Sequence, residues 1–180
     1  MKEFLKNTYG FTNYQVAQLE FLGKTLLSEI SKLIIMGFFF YDRLEIYLAA
    51  ILMLLLLRTS TGGFHCKTYL SCLLVSFLYM VVCIRILPLI PINKFLGILM
   101  LLACLLINYR IGPVTSAIHM PLSEKNKQKG RLRALVIIVS FIFISCIIPE
   151  QKLFTVCFWV IIVHSLQLIY AKIQKKGEAL

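Results

Sequence analysis

The residues best suited to covalent chemistry lie in one polar segment, residues 58–72, which interrupts an otherwise apolar sequence. This segment reads RTSTGGFHCKTYLSC and contains His65, Cys66 and Cys72. A cysteine reacts as the thiolate, and a histidine about 3 Å away can accept the thiol proton. Adjacent side chains cannot easily point at each other, so Cys66 is a poor partner for His65. His65 and Cys72 are therefore the candidates for base and nucleophile, although a histidine and a cysteine near each other in a membrane loop are more often coincidence.

The spacing between His65 and Cys72 requires a break in the helix. On one continuous helix the two side chains would share a face but lie about 10.5 Å apart along the axis. Gly62 and Gly63 allow the backbone to turn just before the histidine. We therefore expect His65 on a loop and Cys72 in the first turns of the next helix, where the helix dipole favours a thiolate. Three residues are candidates to orient the histidine, and the sequence selects none of them: Ser60, Thr61 and Asn108.

A metal site is an alternative use of the same residue types. His65, Cys66, Cys72 and His119 are side chains that zinc accepts as ligands. Their spacing lacks the short paired-ligand pattern of known zinc motifs. The six cysteines also lack the spacing of a disulfide framework. We expect neither a metal nor another cofactor.

The elements that position these residues are apolar helices. Hydrophobic residues make up 59% of the 180-residue chain, whereas soluble proteins contain about 45–50%. The apolar residues cluster into runs at 33–41, 46–57, 73–90, 95–109, 134–148 and 153–171. This pattern predicts one domain, residues 1–180, with an all-α fold: an integral membrane helical bundle of about six transmembrane helices.

The N-terminal part of the chain has a different pattern. From Leu19 onward, leucine and isoleucine recur at three- and four-residue spacing up to Ile34. This periodicity predicts a helix that begins near Leu19 and lies amphipathically in the membrane interface before the first apolar run. We see no cleavable signal peptide in the first eighteen residues, which are polar and aromatic.

The charge distribution predicts the orientation of the bundle. Nineteen Lys and Arg residues against eight Asp and Glu give a formal net charge of +11. Membrane topology and anionic lipid explain this excess better than nucleic acid does. With the N-terminus inside, only four basic residues fall on the outer side: Arg43, Arg85, Lys94 and Lys152. The positive-inside rule then predicts that both termini and the segment 58–72 face the cytoplasm.

The constellation of Arg58, Gly63, His65 and Cys72, with six residues between the histidine and the cysteine, resembles the accessory gene regulator B (AgrB) family. These proteins are membrane-embedded cysteine endopeptidases of Gram-positive quorum sensing. The resemblance covers nearly the whole chain, because the length, the polar N-terminal segment, the six runs and the basic stretch after the fourth run are also similar. Residues 112–122 resemble a proline-bracketed stretch of the family, although the two prolines stand one residue further apart than we would expect.

The resemblance implies a substrate and a reaction. The substrate is an AgrD-like propeptide with an amphipathic leader, a central signal segment and an acidic C-terminal tail. Cys72 attacks the carbonyl that joins the signal segment to the tail, and His65 acts as base and then as acid. A thiol or hydroxyl of the substrate then displaces the enzyme and closes a thiolactone or lactone ring. The resemblance also implies that the protein lies in the cell membrane of a Gram-positive bacterium. A homodimer is suggested by the resemblance and by no other feature of the sequence.

Several residues are candidates to bind this substrate. Arg58 can grip a carboxylate through its guanidinium, or it can serve only as a basic anchor at a span end. Gly63 lets the backbone turn or approach the peptide closely. A basic cluster binds either the acidic tail or anionic lipid; it consists of Lys125, Lys127, Lys129, Arg131 and Arg133.

The alternative function is a small membrane transporter of peptides or ions without proteolysis. An ionisable residue within a span, such as His164, favours a functional role by default, and Arg85 would support the same interpretation. We favour a neutral His164 bonded to a neighbouring helix. The chain lacks the inverted repeat that many transporters contain. A purely structural subunit would leave the segment 58–72 unexplained.

Overall fold

A computed structural model describes residues 12–62, 68–114, 123–147 and 152–177 of the chain. Within these ranges the regular secondary structure is helical, with one isolated bridge between Gly62 and Val114. The helices are α1 (Asn13–Phe39), α2 (Leu44–Thr61), α3 (Tyr69–Val81), α4 (Lys94–Ile111), α5 (Glu124–Ile147) and α6 (Lys152–Gly177). In the described ranges, five helical segments, which contain α2 to α6, are long and apolar enough to cross a membrane. The predicted all-α membrane bundle is therefore confirmed.

α1 makes up most of the described part of a first compact unit, Met1–Asp42. It begins at Asn13, earlier than the predicted start near Leu19, because Thr12 and Gln15 form a capping box. The Thr12 N–H donates to Gln15 Oε1 at 2.9 Å, and the Gln15 N–H donates to Thr12 Oγ1 at 3.3 Å. These two bonds satisfy backbone groups at the helix start that would otherwise lack partners.

Charged residues are spread along α1, whereas the charged residues of α5 all precede Ala134. The sequence of α1 carries Glu20, Lys24, Glu29 and Lys32. Lys32 Nζ pairs with Glu29 Oε1 at 2.6 Å, one turn apart on the same helix. The sequence predicted about six transmembrane helices, whereas length and composition identify five in the described chain.

α6 is the central helix of the second compact unit, Arg43–Leu180. Half of its most apolar stretch is buried inside the protein, against 17% for α4 and for α5. It packs against α2 and α4, and α5 packs against the same two helices. Their shared core includes Leu57, Leu101, Ile138 and Ile161. A helix that is apolar all round is expected at such a central position.

α3 does not continue as a regular helix to the end of its span. Residues Val82–Ile86 form a π-helical segment, and the 3₁₀ turn Leu87–Leu89 follows. Pro88 lacks the N–H that would bond to the carbonyl of Ile84, so the α-helical pattern cannot persist there. Before this segment, Tyr79 Oη donates to the Val160 carbonyl at 2.9 Å and fastens α3 to α6.

Candidate functional site

The backbone at Gly62 fixes where α2 ends and the polar segment begins. Gly62 has a φ of +76°, and its N–H donates to the Arg58 carbonyl at 2.8 Å. A Cβ at this position would collide with the Val114 carbonyl oxygen. The Val114 N–H in turn donates to the Thr61 carbonyl at 2.9 Å. Glycine is therefore required here both by the left-handed conformation and by the close approach of the segment after α4.

The first third of α5 packs against the same end of α2. Gly130 lies so close to the Ser60 carbonyl that a Cβ would collide with it. The next residue, Arg131, donates from Nε to the Gly112 carbonyl at 3.1 Å, and its guanidinium carbon lies 5.7 Å from the centre of the Tyr109 ring. The ends of α2 and α4 and the start of α5 thus meet at one end of the bundle, which we call the Gly62 end.

α6 contributes two buried polar residues to this end. His164 Nε2 lies 2.8 Å from Thr61 Oγ1, and Ser165 Oγ accepts a 2.9 Å bond from Asn108 Nδ2. The Thr61 hydroxyl proton is directed at the Leu57 carbonyl, 2.8 Å away. Because a hydroxyl has one proton, His164 is then the donor in the contact between the two side chains. Our sequence interpretation of His164 as a residue bonded to a neighbouring helix is confirmed.

Arg58 lies in the last turn of α2 and is partly buried. Its charge interacts electrostatically with His164 of α6 and Tyr79 of α3. Within the described part of the chain, its Nε is buried without a hydrogen-bond partner. A buried guanidinium nitrogen without an acceptor is energetically unfavourable, which suits a residue that receives an anionic group from a ligand.

Cys72 occupies the first turn of α3, as the sequence predicted. Its N–H donates to the Thr68 carbonyl at 3.1 Å, and its side chain is partly exposed. Thr68 caps the helix, with its Oγ1 accepting from the Ser71 N–H at 3.4 Å. The first turn is the positive end of the helix dipole, which stabilises a thiolate.

The predicted partner residues of Cys72 fall in a stretch that the structure does not describe. His65, Gly63 and Cys66 lie within residues 63–67, and His119 lies within 115–122. α2 ends at Thr61 and α3 begins at Tyr69, so the predicted break in the helix is confirmed. The contact between His65 and Cys72 stays a prediction.

The three candidates for orienting His65 differ in the bonds that they already make. Ser60 Oγ donates to the Leu56 carbonyl at 2.9 Å, and the Thr61 hydroxyl is shared between Leu57 and His164. Asn108 Nδ2 is also used, but its Oδ1 is buried and accepts no bond from the described residues. Among those residues, no group of three metal-ligand side chains forms a metal site.

The basic cluster is helical and divides into two sets. The cluster lies between the apolar runs 95–109 and 134–148, but α5 already begins at Glu124, because Lys, Gln and Arg favour helix. Two members make contacts within the protein: Lys127 pairs with Glu124 at 2.6 Å, and Arg131 binds Gly112. The other three are exposed and recur every four residues: Lys125, Lys129 and Arg133. We call these three the exposed basic stripe.

Fold and site together define a multi-pass helical membrane protein whose polar, basic residues converge at one end. Comparison with known proteins agrees: a model of the family described as accessory gene regulator B matches residues 2–169. The chain belongs to the AgrB family, and it therefore takes part in the peptide processing of accessory gene regulator quorum sensing.

An AgrB-like protein of Clostridium beijerinckii is 27% identical over 151 residues, which cover 82% of this chain and 74% of that protein. No solved structure matches the chain.

Proposed function

We propose that the chain is a membrane cysteine endopeptidase that removes the C-terminal tail of an AgrD-like propeptide and promotes ring closure of the signal segment. The observation that carries this proposal is the location of Cys72, which is partly exposed in the first turn of α3, the helix that follows the tightly held end of α2 in the chain. Family membership supports peptide processing as the general activity.

The reaction follows the chemistry of acyl transfer. The Cys72 thiol gives its proton to His65, and the thiolate attacks the carbonyl carbon between the signal segment and the tail. The C–N bond breaks, the tail leaves as an amine that takes the proton from His65, and a thioester remains on Cys72. A thiol or hydroxyl of the substrate then attacks the thioester carbonyl, which closes the ring and returns the proton to Cys72.

The other candidate residues have binding roles in this proposal. Arg58 receives a substrate carboxylate through its unpartnered Nε, and Gly63 allows close approach of the peptide backbone. The exposed basic stripe binds the acidic tail. Lys127 and Arg131, predicted earlier as part of the same cluster, act mainly by holding α5 in place, because their side chains already bond within the protein.

Co-expression with a propeptide tests the nucleophile. Cys72→Ala and His65→Ala should each abolish tail release, whereas Cys66→Ala and Cys146→Ala should release it at the wild-type rate. Cys146 is a matched control because it is an exposed cysteine in the last turn of α5. Intact-mass analysis of the wild type should reveal a hydroxylamine-sensitive adduct of the leader and signal segment on Cys72. Tail release by Cys72→Ala at the wild-type rate would exclude the proposal.

A charge experiment separates the two interpretations of the basic stripe. Neutralising Lys125, Lys129 and Arg133 to glutamine should raise KM for the propeptide and reduce its dependence on salt. Lys172→Gln is the control, because it removes an exposed positive charge from α6. An unchanged KM and salt dependence would assign the stripe to lipid instead.

We also propose that the Gly62 end faces the cytoplasm. Nearly all described basic residues of α2, α4 and α5 lie toward this end, whereas Arg43, Arg85, Lys94 and Lys152 belong to the opposite end. The positive-inside rule supports this orientation. Labelling of single-cysteine variants at Lys125 and Lys152 with an impermeant maleimide in intact cells tests it, because only the second position should react from outside.

A further inference from the structure

A cavity of about 240 Å³ lies at the end of the bundle opposite Gly62. It is a partly open cavity, lined by the turn Leu87–Leu89, the start of α4, the last turns of α5 and the start of α6. Cys72 lies in the first turn of α3, whereas the cavity lies at the other end of the same span, next to Leu87–Leu89. The reaction proposed above therefore does not use the cavity. Its volume is that of about eight water molecules, which is enough for a small polar headgroup and too small for a folded peptide.

Most of the side chains that line the cavity are apolar or aromatic. Phe141, Phe154 and Phe158 contribute rings. Gly97 leaves space beside Phe158: a Cβ there would lie 3.6 Å from the ring edge, an ordinary contact. A purely polar ion would gain little from such walls, so the occupant should carry hydrocarbon.

Polar side chains also line the cavity: Asn93, Lys94, Ser145, Thr155 and Trp159. Lys94 and Trp159 give it its chemical preference. Trp159 lines it, is only 6% exposed, and has an Nε1 that is buried without a hydrogen-bond partner among the described residues. Lys94 is the ionisable residue of the lining and lies at the start of α4, where the helix dipole adds partial positive charge. Its Nζ donates to the Cys146 carbonyl at 3.3 Å, and an ammonium group with three N–H donors can bind a ligand as well. The lining contains no acidic residue. The cavity therefore offers hydrogen-bond donors and positive potential to an anionic acceptor.

We propose that this cavity binds the headgroup of an anionic phospholipid. The phosphate accepts from Trp159 Nε1 and pairs with Lys94, and the acyl chains lie along the exposed apolar side chains beside the opening, such as Leu89 and Phe95. The end of a span lies at headgroup depth, where basic pockets between helices recognise anionic lipids. A zwitterionic lipid would bring a cationic group toward Lys94 and is disfavoured.

Trp159 is the one tryptophan of the chain, so its fluorescence reports on this cavity alone. The full-length protein is reconstituted into phosphatidylcholine bilayers with a fixed fraction of lipid brominated on the acyl chains, either phosphatidylglycerol or phosphatidylcholine. We expect stronger quenching by the brominated phosphatidylglycerol. Lys94→Gln should lower this preference about fivefold, the effect of one basic residue at a membrane surface.

Lys152→Gln is the matched control, because Lys152 is an exposed basic residue at the same end and does not line the cavity. It should retain the preference. Equal quenching by the two brominated lipids overturns the proposal, and so does an equal loss of preference in both variants. Relief of the quenching by glycerol phosphate or inorganic phosphate at millimolar concentration would identify a free anion as the ligand and would also overturn it.

Discussion

Replacing Thr61 with valine tests whether the buried contact between α2 and α6 holds the Gly62 end together. Valine keeps the branched shape of threonine but lacks the hydroxyl that contacts His164 Nε2 at 2.8 Å and the Leu57 carbonyl at 2.8 Å. Thr61 and His164 are both 0% exposed. His164 Nε2 would therefore lose the side-chain partner that it has among the described residues.

The structure sets the size of the expected effect. A buried polar group left without a partner costs about 1–3 kcal/mol. Measured coupling energies of hydrogen bonds between membrane helices average about 0.6 kcal/mol and reach about 1.7 kcal/mol. We expect Thr61→Val to lower the free energy of unfolding by about 1–2 kcal/mol. Thr59→Val is the control, since Thr59 is exposed and its Oγ1 bonds to Leu56 of its own helix at 3.1 Å.

Unfolding of the full-length protein in mixed micelles, followed by far-UV circular dichroism, measures both variants. A double-mutant cycle with His164→Leu isolates the pairwise energy, which should lie between about 0.6 and 1.7 kcal/mol. Equal destabilisation by valine at positions 59 and 61, or a coupling energy near zero, would refute the reasoning. In either case the contact between Thr61 and His164 would contribute nothing measurable to the free energy of unfolding.

The same unfolding assay checks the glycines. Gly62→Ala should destabilise by about 1–3 kcal/mol, because it combines strain at positive φ with a collision at the Val114 carbonyl; unchanged stability would contradict the backbone described for that turn. Gly130→Ala should also destabilise, although alanine favours helix by about 1 kcal/mol, because its Cβ meets the Ser60 carbonyl. Gly97→Ala, with only ordinary contacts, should be neutral or stabilising. A gain of stability in both Gly97→Ala and Gly130→Ala would show that the contact of Gly130 with Ser60 is not tight.

The five apolar segments could be predicted from the sequence because long apolar runs in a bilayer have few options other than helix. The start of α5 could not be predicted from apolar content, since its first turns are basic and polar. Helix propensity alone would have extended it to Glu124. The start of α1 was also predictable in principle, because Thr12 and Gln15 have the spacing of a capping box.

The contacts of the Gly62 end were harder to predict. The bond between Lys127 and Glu124 follows from their three-residue spacing on a helix. The pairs Thr61 with His164, and Arg131 with the Gly112 carbonyl, join distant parts of the chain. They depend on the rotation of packed helices about their axes, which the periodicity of a uniformly apolar span does not determine.

α1 determines where the N-terminus lies. Five crossings would leave the start of α2 and the end of α6 on opposite faces of the membrane. The prediction that both termini are cytoplasmic therefore requires α1 to cross as well, with the pair of Lys32 and Glu29 reducing the cost of its charges. An impermeant maleimide and a single cysteine at Thr12 would decide this question: protection in intact cells indicates a crossing α1.

The central position of α6 has a consequence for biosynthesis. The helix that supplies His164 and Ser165 to the Gly62 end follows the other four spans in chain order. While the ribosome is still translating, α2 and α4 lack the partner that buries Thr61 and Asn108. A nascent or prematurely terminated chain therefore inserts into the membrane with Cys72, the proposed nucleophile, present and the turn at Gly62 unsupported. Quality control by proteases and the onset of activity would then both depend on the insertion of a single helix.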